Sequence, residues 1–229
     1  MNPAQFSFML QMGDGNFPNG AFSHSFGLET LIEAGLVVDA ATFEQALADW
    51  FHLQLVPFDG LAAHIAWALT KAGDMEGLLA LAELVSASLL AEQSKRGALL
   101  IGKRSLQVLH DLVPHGGATQ WYWEKVAAGE ACATHALALA VASAEMGIGQ
   151  DFTRTAVLYS ALSSLIAAAV RAVPIGQSAG QQLLATGRSW IESAPSMAGY
   201  QMADISSTAA MWEIAQMNHK ALNGRLFMS

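Results

Sequence analysis

At 229 residues the chain has room for one large helical domain, yet only 13% of it is charged and 53% is apolar, against about 25% charged residues in an ordinary globular protein. A net charge of −8 and a pI near 5.2 exclude a broad phosphate-binding face, so nucleic acid is not an expected partner. The 11 basic and 19 acidic residues would be thinly spread over the roughly 10,000 Å² that a monomer of this mass exposes, so partners are expected to cover part of the apolar surface.

Along the chain, an apolar opening from Phe6 to Met12 leads into a tight loop, Gly13 to Gly20, that includes Gly15 and Pro18. Ser23 or Ser25 is placed to cap the next helix, which is expected to run to about Gly35. Thr42-x-x-Gln45 has the capping-box pattern; Pro57 should end or kink the helix it opens, with a second apolar segment from Phe58 to Lys71. Asp74 predicts a helix through about Gln93, Ser94 to Leu112 continues or restarts it, and Pro114-His115-Gly116-Gly117 stops it. Thr119 opens a short aromatic segment with Trp121, Tyr122 and Trp123. Helices are expected near Glu130–Met146, Asp151–Ala172, Ser178–Ser193 and Ala203–Leu222, with residues 223–229 as a flexible tail. No run of alternating strands occurs, so the expected fold is all-α: one domain, a bundle of roughly eight to ten helices.

The uncharged stretches Ala131–Ala144 and Ala156–Val170 would reach only about 20 to 23 Å as helices, short of the roughly 30 Å hydrocarbon core, and read as buried helices with no membrane role. Cys132 has no internal disulfide partner, the Met1 end lacks a basic region before an apolar run, and no N-glycosylation sequon occurs. These features point to the cytoplasm.

Candidate chemistry is sparse. Gly176-Gln177-Ser178-Ala179-Gly180 matches the G-x-S-x-G pattern of serine hydrolases, but that chemistry needs a strand-to-helix turn, and the preceding residues read as helix. Ser178 reads better as a helix cap, since Ser178-x-x-Gln181 is itself a capping box. Gly13-x-Gly15 lacks the strand and the Gly-Lys-Ser/Thr ending of a phosphate loop. Cys132-x-x-His135 is the closest metal-like spacing and supplies only two ligands; His24 would need ligands from elsewhere. Neither a cofactor nor a resident metal is expected. Basic residues gather at Lys95-Arg96 with Lys103-Arg104, then at Arg171, Arg188, Lys220 and Arg225, either as solvated faces or as docking points for an acidic partner.

The segment from Leu10-Gln11-Met12 through Phe17-Pro18-Asn19-Gly20-Ala21-Phe22-Ser23-His24-Ser25-x-Gly27-Leu28-Glu29 resembles the UreF urease accessory proteins. The likeness continues through Arg96, Gly102-Lys103-Arg104, Tyr159-x-Ala161-Leu162-Ser163-Ser164 and Ala168-Ala169-Val170-Arg171-x-Val173-Pro174-x-Gly176-Gln177-x-x-Gly180-Gln181. It closes with His219 and Arg225-Leu226-Phe227-x-Ser229. The resemblance implies an α-helical, non-enzymatic protein that forms a homodimer, binds UreD (also called UreH), recruits or regulates the GTPase UreG, and so helps deliver nickel to apo-urease. Carried onto this chain, the expected partner-binding residues are Phe17, Pro18, Gly20, His24, Ser25, Glu29, Arg96, Arg104, Arg171, Gln177, Gln181, His219, Arg225, Leu226 and Phe227. Departures from the family pattern are Gly13 and Gly15 in place of small polar residues, Gly224 in place of Ser, and Met228 in place of a frequent Arg.

Overall fold

A computed structural model describes residues 1–229. Its helices are α1 (Pro3–Met12), α2 (Leu28–Glu33), α3 (Ala40–Trp50), α4 (Leu61–Ala72), α5 (Met75–Ser88), α6 (Glu92–Leu112), α7 (Ala118–Ala127), α8 (His135–Glu145), α9 (Gln150–Ala172), α10 (Gln177–Ser193) and α11 (Ala210–Asn218), with no strand. The all-α expectation holds. A wide π-helical segment, Phe51–Gly60, joins α3 to α4, so residues 40–72 form one continuous helical path.

The core is organised around α8. Every residue from Ala136 to Ala144 is buried, as expected of a helix that is apolar all round, and α4, α6, α7 and α9 pack about it. Its small side chains let neighbouring backbones come close. On α6, Gly102 lies directly beneath the carbonyl of Ala133 and the Cα of Thr134, where a Cβ would overlap the backbone. That crossing holds residues 131–134 extended, so α8 begins at His135 with Thr134 as its N-cap, not near Glu130. Tyr122 donates to the Cys132 carbonyl at 2.6 Å and anchors the same stretch to α7.

Several local expectations shift for identifiable reasons. Asp39, not Thr42, is the N-cap of α3: its carboxylate accepts the Thr42 amide at 2.9 Å, and Thr42 answers from the third position of the capping box. A carboxylate available three residues earlier wins the role. Pro57 neither ends nor separates the helices. It lies inside the π-helical segment, whose Leu53 and Pro57 carbonyls accept the amides of Thr208 (2.9 Å) and Ser206 (3.3 Å). Asp74 caps α5 as predicted, accepting the Gly77 amide at 2.8 Å, but the helix stops at Ser88. Gly176 is the N-cap of α10; Ser178 lies inside the first turn and caps nothing. The last predicted helix shrinks to α11, which is pinned to α3 where Trp212 Nε1 donates to the Ala46 carbonyl at 2.9 Å.

The 23-residue α9 corrects the length argument made for Ala156–Val170. At roughly 35 Å it is long and apolar enough to cross a membrane by those two measures, because Gln150–Thr155 extend it. Less than half of its apolar window is buried, against α4, α8 and α10, and the helix carries Asp151, Arg154 and Arg171.

Candidate functional site

The glycine-rich loop and the end of the chain meet beside the C-terminal end of α9. Gly20 (φ 84°) and Gly27 (φ 97°) sit in the left-handed region, which turns the backbone twice around a short 3-10 turn, Ala21–Ser23. Gly27 also lies against Gln216 of α11, 3.0 Å from where a Cβ would stand. Gly27 directly precedes α2, while Ser25 Oγ accepts the Glu29 amide of its first turn at 3.4 Å and donates to the Ser229 carbonyl at 2.9 Å.

In place of a mobile tail, the structure has a docked one. The Ser229 carbonyl accepts the amides of Ser25 (2.7 Å) and Phe26 (3.0 Å), and the Met228 amide donates to Ser23 (2.8 Å). Phe26 takes φ 48°, unusual for a side-chain-bearing residue, and this turns two successive N–H groups toward one acceptor. His24 Nδ1 lies 2.7 Å from Ser229 Oγ. The carboxylate of Glu29 accepts the amides of Leu226 and Phe227 and faces His219 Nε2 at 3.1 Å. His219 is fully buried, its other nitrogen 2.9 Å from Gln93 Oε1. Burial, then the charge of Arg104 and that of His219, hold the His24 imidazole below its ordinary pKa.

Arg171 closes the junction. Its guanidinium lies 3.5 Å from the Phe22 ring centroid and 5.1 Å from that of Phe227, and it donates to the Phe22 carbonyl at 2.8 Å. Phe22 and Gln93 were not among the predicted site residues. Phe22 stands in the same motif as Phe17 and could have been singled out from it; Gln93 carries no local signal.

Beneath the loop is a cavity of about 240 Å³, lined among others by Phe17, Gln54, Asp59, Ser94, His135 and Ser160. Burial pushes the Asp59 carboxyl up to about 7 and the His135 imidazole down to about 4, so His135 is neutral near pH 7. Its ring nitrogens lie 2.9 Å from Ser105 Oγ and 3.3 Å from Ser160 Oγ. Gln54 Oε1 and Ser94 Oγ are buried without a protein partner, which marks this cavity as a place for water rather than a dry void.

The predicted residues therefore divide. His24, Ser25, His219 and Phe227 are buried inside the junction, Glu29 is largely so, and Phe17 and Gly20 are half-buried. Pro18, Arg104, Arg171, Arg225 and Leu226 are exposed around it. Arg96 is exposed on α6 in an ion pair with Glu92 at 3.1 Å, and Gln177 and Gln181 are exposed on the first turns of α10. Cys132 and His135 do not form a ligand pair, since Cys132 Sγ donates to the Ala82 carbonyl at 3.2 Å. No group of three or more His, Cys, Asp or Glu side chains is arranged to hold a metal. Ser178 is exposed on a helix in a fold without strands, so the turn that a hydrolase needs does not form.

The UreF family profile matches residues 37–187. Over 222 residues the chain is 36% identical to the urease accessory protein UreF of Lachnoclostridium phytofermentans, covering 96% of this chain and 97% of that one. The chain belongs to the UreF family. A second urease accessory protein UreF, from Geobacillus kaustophilus, is 34% identical over 230 residues and covers all of both chains. A third, from a Bacillus species, is 31% identical over 222 residues, covering 96% of this chain and 97% of its own. This UreF-family urease accessory protein shares 96% or more of its length with each of these relatives, and the match to the Geobacillus protein includes the loop and tail that lie outside the profile match.

Proposed function

We propose that this UreF-family protein is a non-enzymatic component of urease maturation in the cytoplasm: it forms a homodimer, binds UreD (UreH), and recruits or regulates the GTPase UreG for nickel delivery to apo-urease. The observation that carries this reading is the end-to-end likeness to urease accessory proteins. Its surface chemistry supports a docking role. Phe22, Leu226 and Met228 are exposed around the loop–tail junction, and Met211, Ile214 and Met217 form an exposed apolar stripe on α11. Arg104, Arg171 and Arg225 border the junction, a combination of apolar anchors and arginine that suits protein interfaces.

In this reading the fifteen predicted residues serve partner binding in two ways. Pro18, Arg96, Arg104, Arg171, Gln177, Gln181, Arg225 and Leu226 offer contacts, while Phe17, Gly20, His24, Ser25, Glu29, His219 and Phe227 hold the loop and tail in the shape that a partner meets. Co-expression with UreD and UreG followed by co-purification tests it. Wild-type protein is expected to retain both, and Leu226→Glu, a change at a surface side chain, is expected to lose UreD while keeping its helical content. Undiminished capture by Leu226→Glu would remove the tail from the interface, and failure of the wild type to retain UreD would overturn the reading.

A further inference from the structure

The cavity under the loop belongs to the site already described, and the exposed stripe on α11 has nothing on it to identify a particular occupant. Apart from both lies the histidine pair at the α6–α7 corner.

We propose that His110 and His115 form a surface seat for one first-row divalent transition-metal ion of the nickel or zinc kind. The proposal rests on histidine geometry and stands apart from the family reading. His110 lies in the last turn of α6, and His115 in the turn that follows it. Their ring centroids are 5.3 Å apart with planes inclined at 52°. Two imidazoles sharing a tetrahedral ion, each with a metal–nitrogen bond of about 2.0–2.1 Å, place their ring centroids roughly 5 Å apart.

The surroundings prepare His110 in particular. Its Nδ1 lies 3.0 Å from Asp111 Oδ1, and a carboxylate accepting the Nδ1 proton leaves Nε2 with a free lone pair. This is the outer-shell arrangement typical of metal-bound histidine. The Trp123 ring packs against His110 at 6.2 Å, restricting the imidazole from α7. On the other side, the Gly116 amide donates to Gln120 Oε1 at 2.7 Å, and Gly116 takes φ 94°, which shapes the turn that carries His115. His115 is exposed and the His110 side chain keeps 21% of its surface, so an ion can enter from solvent.

Only two protein nitrogens contribute, so water or a partner's side chain completes the coordination and the ion exchanges readily. Imidazole suits nickel, zinc and copper; magnesium and calcium prefer oxygen.

The test titrates the untagged full-length chain with nickel sulfate by calorimetry and by tryptophan fluorescence. One ion per chain is expected, with quenching of Trp123. His110→Ala and His115→Ala should each weaken binding at least tenfold, Asp111→Asn should weaken it severalfold, and His52→Ala, on an exposed histidine elsewhere, should leave it unchanged. Trp123→Phe should remove the quenching and keep the calorimetric signal. His115 is exposed in a turn, so its variant is expected to fold, with circular dichroism as the check. Absence of binding up to about 1 mM nickel, or binding that survives both histidine substitutions, would overturn the proposal.

Discussion

Glu29 and His219 stand 190 residues apart in sequence and 3.1 Å apart in space, and the same Glu29 carboxylate holds the amides of Leu226 and Phe227. One side chain near the start of the chain thus fastens the tail to the first turn of α2. Replacing it strands several polar groups at once: a buried imidazole nitrogen and two backbone amides. Glu29→Ala should lower stability by about 2–3 kcal/mol, read as a fall in thermal midpoint. It should also expose the bonds after Lys220 and Arg225 to trypsin, and a digestion pattern like that of the wild type would show that the carboxylate does not fasten the tail.

Gly102 permits a close backbone crossing between α6 and the start of α8. A methyl group there overlaps the Ala133 carbonyl, which belongs to main chain and cannot swing aside. Gly102→Ala should therefore destabilise the protein by about 3 kcal/mol or more. Gly15→Ala, with nothing within 4 Å of the added carbon, should change stability by less than about 0.5 kcal/mol. Chemical denaturation of the two variants side by side measures the contrast.

Arg171 joins loop to tail through Phe22 and Phe227. Arg171→Ala removes a close cation–π contact and a hydrogen bond to the Phe22 carbonyl, with an expected loss of about 1–2 kcal/mol. Arg171→Lys keeps the charge but not the planar fork. If the shape of the junction governs docking, both variants should retain less UreD in co-purification, alanine more severely; equal retention by all three proteins would place Arg171 outside the docking surface.

Asp59 and His135 line one cavity and pull stability in opposite directions with pH. The Asp59 carboxyl titrates at about 7 in the folded chain, above its unfolded value of about 4, so its contribution is full in acid and is lost as pH rises toward 7. His135, pushed down to about 4, loses its contribution as pH falls from about 6.5 toward 4. Lowered pKa values at His24 and His64 add to the His135 side. Holding the Asp59 carboxyl at about 7 in place of about 4 corresponds to about 4 kcal/mol at most, and the neighbouring cavity should reduce this to roughly half. Asp59→Asn should leave stability near pH 4 almost unchanged, raise it by on the order of 2 kcal/mol above pH 7, and steepen its decline on acidification. Thermal melts from about pH 4.5 to 8 test this, and curves parallel to the wild type would contradict it.

The helical class, most helix stops and the kinship with UreF proteins are legible along the chain. Those features are local: the Asp74 cap, the Pro114–Gly117 stop and the uniformly apolar α8 each report through neighbouring residues. The caps at Thr42 and Ser178 were misplaced because competing caps, Asp39 and Gly176, lay within three residues of them. The tertiary structure settled what surrounds Pro57, since the Leu53 carbonyl of the same π-helical segment accepts the Thr208 amide from a stretch remote in sequence. It also decided the fate of the tail. His24, Glu29, His219 and Ser229 each look like ordinary surface polar residues in sequence, and become a buried site only when folding brings the two ends of the chain together. Hydrogen-bond partners that remote leave no periodicity for a local pattern to register.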